Sequence, residues 1–163
     1  MNTEMLTSLL NKVIKVDRGG PESKVGLLLA VGTDFLALLT KEDGVVYYQL
    51  QHIKSITVNT RKGLKFDLEV PDNFEFVTGT DFLTVLQNLQ HEWVKINRGG
   101  PESFEGVLEE VWPTFVTVIK HEEIVRLSIF HLRSISYGLK VEPVKEEERE
   151  EPREEKQNEQ PNA

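Results

Sequence analysis

The sequence predicts a mainly β protein: two tandem small five-stranded barrels, each preceded by a short helix, with a disordered acidic tail behind the second. Three observations predict it. The hexapeptide Arg18-Gly19-Gly20-Pro21-Glu22-Ser23 recurs as Arg98-Gly99-Gly100-Pro101-Glu102-Ser103. Short β-branched and aromatic runs, punctuated by Gly, Pro and Asp, surround both copies. The last 22 residues hold almost no apolar side chains.

The match between the copies extends beyond the hexapeptide. Lys15-Val16 answers to Lys95-Ile96, Gly26 and Leu28 to Gly106 and Leu108, and Phe35-Leu36 to Phe115-Val116. One residue is dropped in the second copy near Asp43-Gly44, where a turn tolerates a change of length. His52-Ile53-Lys54-Ser55-Ile56 then aligns with His131-Leu132-Arg133-Ser134-Ile135. Such a pattern is expected of an internal duplication.

Each unit reads as a helix followed by strands. Met5, Leu6, Leu9 and Leu10 have helical spacing, as do Phe82, Val85, Leu86 and Leu89. Thr80 or Asp81 can cap the second helix by accepting its free backbone amides. Lys12 to Asp17 alternates as a first strand. Arg-Gly-Gly-Pro ends it, because glycine permits positive φ and proline removes a backbone donor. Lys24 to Val31 and Phe35 to Thr40 follow, separated by Gly32-Thr33-Asp34. Asp43-Gly44 suits a type I′ hairpin into Val45 to Leu50, and Ile53 to Val58 is the fifth strand.

Five strands in so short a stretch favour closure, since an open sheet exposes two edges and buries little apolar area. The order resembles the Sm-like barrel, with Gly26 and Gly106 in the second strands, Asp34 in a turn, and Val46-Tyr47 leading to His52-Ile53. An SH3-like barrel is the alternative. The expected organisation is a first barrel over residues 1–58, a connection over 59–79, a second barrel over 80–141 and the tail over 142–163. Within the connection, Leu64, Phe66, Leu68 and Val70 alternate ahead of Phe74 and Phe76. That is too apolar for a free linker, so a packed hairpin is expected.

Composition restricts function. The net charge is −8, and the tail carries 9 acids against 4 bases, leaving 18 against 15 in the remainder. A mildly acidic body gives no drive toward nucleic acid, where Lys and Arg must displace phosphate counterions. Cysteine is absent, which removes disulfides, thiol nucleophiles and zinc–thiolate sites. No run approaches the ~18 apolar residues of a membrane span. Residues 1–12 lack the pattern of a secretory signal, so synthesis in the cytoplasm without export by the usual route is expected.

The candidate site residues argue for binding rather than catalysis. The two hexapeptide loops read as presented recognition loops, with Arg18, Arg98, Glu22 and Glu102 as polar contacts around Gly19, Gly20, Pro21, Ser23, Gly99, Gly100, Pro101 and Ser103. The plainer reading is a constrained turn whose Arg and Glu pair locally. Neither loop resembles an RNA-binding RGG box, since each copy stands alone between strands. Trp112, in the turn after the second strand, reads as an exposed contact or as a lid, whereas Trp93 takes the place of Val13 and is expected in the core. His52 and His131 read as rim histidines bonded to backbone, and with His91 and His121 they lack metal-ligand spacing. No catalytic residue, metal site or cofactor motif is read from the sequence, and the expectation is no enzyme.

The stretches Val16 to Lys24, Glu42 to Tyr48, His52 to Ile56, Trp93 to Glu102 and Phe130 to Ser136 resemble the spore coat protein B family, over roughly residues 10 to 140. The resemblance implies a structural protein of the endospore coat, made in the mother cell cytoplasm and assembled on the forespore surface. The resemblance offers no catalytic residues; the presented loops and strand edges are expected to meet other coat proteins, with self-association among the expected contacts. Longer members carry more copies of the unit and a Ser/Lys/Arg-rich C-terminal region, where this chain has two copies and a short acidic tail. The alternative is an Sm-like RNA-binding regulator. Its usual loop asparagine is missing from both Asp34 to Ala37 and Thr114 to Thr117.

Overall fold

The computed structural model describes residues 1–61 and 63–138. The tail expected over 142–163 lies outside the described residues. Two sets of elements follow one another in the same order. Helix α1 (Thr3–Thr7) precedes β1 (Val13–Val16), β2 (Lys24–Val31), β3 (Phe35–Thr40), β4 (Gly44–Gln49) and β5 (Ile56–Thr57). Helix α2 (Phe82–Asn88) precedes β6 (Trp93–Ile96), β7 (Phe104–Val111), β8 (Phe115–Lys120), β9 (Glu123–Ser128) and β10 (Ser134–Tyr137). A single 3-10 turn, at Leu50–His52 and at Ile129–His131, leads into the last strand of each half.

Local chemistry sets the boundaries. Asn2 caps α1 by accepting the Glu4 and Met5 amides, and Asp81 caps α2 by accepting that of Thr84. Asp17 and Asn97 end the first strand of each half at φ 55° and 53°, a left-handed conformation that short polar side chains tolerate. Gly26 and Gly106 lie in β2 and β7 because a Cβ would meet the Leu39 carbonyl oxygen at 2.3 Å and that of Ile119 at 2.4 Å. A register shift between Leu28 and Ala30 bends β2, and one between Leu108 and Glu110 bends β7 at the corresponding place. The turn at Asp43-Gly44 is not type I′. Gly44 alone has positive φ, 67°, and Thr40 braces the loop by accepting the Asp43 amide and donating to the Gly44 carbonyl.

The strand order overturns the expectation of two separately closed barrels. All ten antiparallel strands join in one open sheet, β5-β1-β2-β3-β4-β10-β6-β7-β8-β9. Neither half closes on itself among the described residues. The exposed edge of β4 is satisfied instead by β10, with Tyr48 opposite Ser134, Tyr47 opposite Ile135 and Val46 opposite Ser136. Among the described residues, the two free edges of the sheet are β5 and β9.

This arrangement buries β3 and β4 on both faces. Leu36, Leu38, Val46 and Tyr48 point into a core with Leu6, Ile14, Val16 and Leu28. Phe35, Ala37, Leu39, Val45 and Tyr47 point the other way, into a core built largely from the second half, with Phe82, Val85, Leu86, Ile96 and Ile135. Burying a side chain the size of Tyr47 or Leu39 contributes roughly 1.5–3 kcal/mol, so this shared core binds the halves together. Among the described residues of the connection over 59–79 no hairpin forms; they run irregularly, and Phe66, Leu68 and Phe76 dock on the shared core. Trp93 is not core. Val94 and Ile96 take the inward positions of β6, which turns Trp93 outward to donate its indole N–H to Glu105 Oε1 at 3.3 Å.

Candidate interaction site

The two hexapeptide loops lie against the strand joint, and the joint treats them differently. Glu22 is only 6% exposed. Its Oε1 accepts the Arg98 backbone amide at 2.7 Å, and its Oε2 accepts the Ser134 hydroxyl at 2.6 Å. Arg133 Nε stands 3.5 Å from the same carboxylate. Glu102, at the matching place in the second loop, is exposed. The local Arg–Glu pairing expected within each loop is replaced, at Glu22, by pairing across the halves.

Arg98 is drawn into the same contact while Arg18 stays exposed. The Arg98 guanidinium is buried, with Nη1 3.9 Å from Asp43 Oδ1. Lys24 lies 3.2 Å from the Asp43 carboxylate and Lys95 3.9 Å from it. Burial pushes the Asp43 carboxyl up, and Arg98, Lys24 and Lys95 more than offset it, so the group is held below its ordinary value. Burial lowers the affinity of Arg98 for its proton, opposed by Asp43 and Glu22. The loops also touch directly: a Cβ on Gly99 would meet Pro21 Cβ at 2.5 Å, whereas one on Gly19 meets nothing within 4 Å.

Further hydrogen bonds seal the joint. Gln49 donates its amide N–H to the Ile129 carbonyl at 2.6 Å and also to that of Leu132. His52 Nε2 lies 2.7 Å from the Phe130 carbonyl, the backbone bond expected of a rim histidine, though across the halves. His131 makes an edge-on contact with the Phe130 ring instead. The Phe82 amide donates to Asp34 Oδ1 at 2.7 Å, and Tyr137 stacks on Tyr47 with ring centroids 6.3 Å apart.

The remaining sequence candidates are framework or surface. Ser23 and Ser103 brace their loops by donating to the Asp17 and Asn97 carbonyls at 3.1 and 3.2 Å. Gly20 and Gly100 supply positive φ, 86° and 83°, and Gly19, Pro21 and Pro101 are exposed or in the loop contact just described. Trp112 is exposed and stacks on Phe115 with ring centroids 6.1 Å apart. Asp17 and Asn97 escaped the sequence reading. Asp17 Oδ1 accepts the Lys54 amide at 2.8 Å, and Asn97 Oδ1 accepts that of Arg133 at 2.9 Å, tying each loop to the last strand of its half. Their signal was a short polar residue just before Arg-Gly-Gly.

No cluster of three or more metal-ligating side chains occurs among the described residues. No helix there is long and apolar enough to cross a membrane. A cleft of about 270 Å³ lies beside the free β9 edge, lined by residues that include Glu102, Leu127, His131 and Leu132.

Comparison with curated proteins shows the chain to be 40% identical over 145 residues to spore coat protein B of Bacillus subtilis (strain 168). The alignment covers 89% of this chain and 37% of that protein, so the chain spans little more than a third of that relative's length. No family model matches the chain, and no solved structure does.

Proposed function

From the 40% identity to spore coat protein B over 145 residues, we propose that the chain belongs with that family and is a structural component of the bacterial endospore coat. The observation that carries this reading is the 40% identity over 145 residues, 89% of this chain. The protein is made in the mother cell cytoplasm and comes to rest in the coat. It acts there by presenting surfaces to other coat proteins, not by turning over a substrate.

The geometry supports an assembly role. The loops are rigid, being held by Asp17 and Asn97 at their bases, and rigid loops lose little entropy on binding. The strands β5 and β9 offer free edges, and such edges accept another chain by strand addition. The body carries no excess of Lys and Arg to hold RNA. A fluorescent fusion followed through sporulation tests the reading. The signal is expected to gather around the forespore and remain on the released spore; a signal that stays diffuse in the mother cell contradicts it.

A further inference from the structure

The joint is formed once inside the chain, between the β4 edge of the first half and the β10 edge of the second. The corresponding edges, β9 and β5, are both free among the described residues. We propose that a second copy of this chain docks its β5 edge on the free β9 edge and so repeats, head to tail, the contact that β10 makes with β4. The inference rests on the assembly role argued above and names the partner of that surface.

The charges at the two free ends are matched. Aligning the halves puts Glu102 at the place of Glu22 and Glu122 at that of Asp43, both on the β9 end. It puts Arg18, Lys54 and Lys15 at the places of Arg98, Arg133 and Lys95, all on the β5 end. The end that lacks its partner is acidic at the points where the opposite end is basic.

Apolar exposure falls in the same places. Ile124 is 57% exposed where Val45 is fully buried, and Met5 is 40% exposed where Val85 is fully buried. Val45 and Val85 lie in the core that the two halves share, and Ile124 and Met5 have no such core beside them among the described residues. Ser55 gives a second, independent sign. Its hydroxyl oxygen is buried and has no hydrogen-bond partner among the described residues, while its counterpart Ser134 donates to Glu22. Buried polar groups are seldom left unsatisfied. Glu102 of a second copy is the acceptor that the internal joint predicts for Ser55.

The same register places Leu127 opposite Ser55, Arg126 opposite Ile56 and Val125 opposite Thr57 of the second copy. The cleft beside β9 lies at this contact. The contact uses different patches on the two copies, so it is heterologous and leaves a free end for a third. Ser128 and Leu127 stand where Gln49 and Tyr48 do and offer fewer hydrogen-bonding groups. The contact between chains is therefore weaker than the internal joint and depends on concentration.

Sedimentation of the full chain over a concentration series tests this, together with two exposed-site variants. The wild type is expected to pass from monomer to dimer and longer species as concentration rises. Gly19→Leu blocks the β5 end, where Gly19 would meet Pro101 as Gly99 meets Pro21. Glu102→Arg blocks the β9 end. Each variant alone is expected to need at least about tenfold more protein to associate. An equal mixture is expected to give dimers that grow no further, because each variant retains the end the other has lost. A wild type that stays monomeric up to about 1 mM, single variants that associate like the wild type, or a mixture that stays monomeric overturns the proposal. A monomeric wild type whose fusion still gathers on the forespore overturns the head-to-tail contact and leaves the coat role standing. A chain that associates but whose fusion stays diffuse removes the coat role on which the contact rests.

Discussion

The carboxylate of Glu22 accepts the hydroxyl of Ser134 at 2.6 Å, joining residues 112 positions apart in the chain. The same carboxylate takes the Arg98 amide at 2.7 Å. It is buried at the boundary between the halves, where each charge-assisted bond contributes more than it would in water.

Glu22→Gln is therefore expected to cost about 2–4 kcal/mol, since it removes the charge and turns a donor toward groups that already donate. Glu102→Gln, in the identical hexapeptide, is expected to fall within about 0.5 kcal/mol of wild type at dilute concentration, because Glu102 is exposed. Urea unfolding of the two variants beside the wild type checks both.

The same asymmetry predicts unequal outcomes for two glycines. Gly99→Ala drives a methyl against Pro21 Cβ, a position with no flexible side-chain end to move aside, and is expected to cost about 1–3 kcal/mol. Gly19→Ala meets nothing within 4 Å and is expected to be near neutral. Thermal unfolding measured at dilute protein separates the two.

Acid is expected to loosen the joint through Asp43. Its folded carboxyl lies below the ordinary value of 3.8, so the stability it contributes is complete above that value and is lost as pH falls through the folded one. Asp43→Asn is expected to lose about 1–3 kcal/mol at neutral pH, by removing the carboxylate that pairs with the buried Arg98 guanidinium. It is also expected to flatten the fall in Tm below about pH 4.

Alkali acts through the tyrosines. Burial raises the phenols of Tyr47 and Tyr48 far above 10.0, and burial raises that of Tyr137 as well. A phenol raised in the folded state contributes stability below its unfolded value of about 10, and that stability is lost as pH rises above it. Phenolate absorbance is therefore expected to appear together with loss of β-sheet circular dichroism. Absorbance that develops near pH 10 with the sheet intact contradicts the burial of these rings.

Much of this fold is legible in the residues. Lys24 to Val31 and Phe35 to Thr40 read directly as strands, since β-branched runs end at Gly-Gly-Pro and Gly-Thr-Asp. The joint is harder to see, because identical hexapeptides carry no sign that one of them will be buried. A trace exists in β4, where Val45-Val46-Tyr47-Tyr48 is continuously apolar, while Ile124-Val125-Arg126-Leu127 breaks the run with a charge. Continuous runs mark strands covered on both faces, and β4 is buried throughout where β9 is mostly exposed. Closure of each half was the wrong inference from a sound premise. A short sheet must lose its edges, and here β4 loses its edge to β10 of the other half. Trp93 faces outward, against the inward place its apolar ring suggests, because the alternation of β6 gives the inward positions to Val94 and Ile96.

Interstrand nuclear Overhauser contacts in the dilute full chain test the continuous sheet most directly. Backbone contacts linking Val46, Tyr47 and Tyr48 to Ser136, Ile135 and Ser134 are expected, at the strength of those linking β3 to β4. Strong contacts within each half but none between β4 and β10 would show two independent units and contradict the shared surface from which the assembly role is argued.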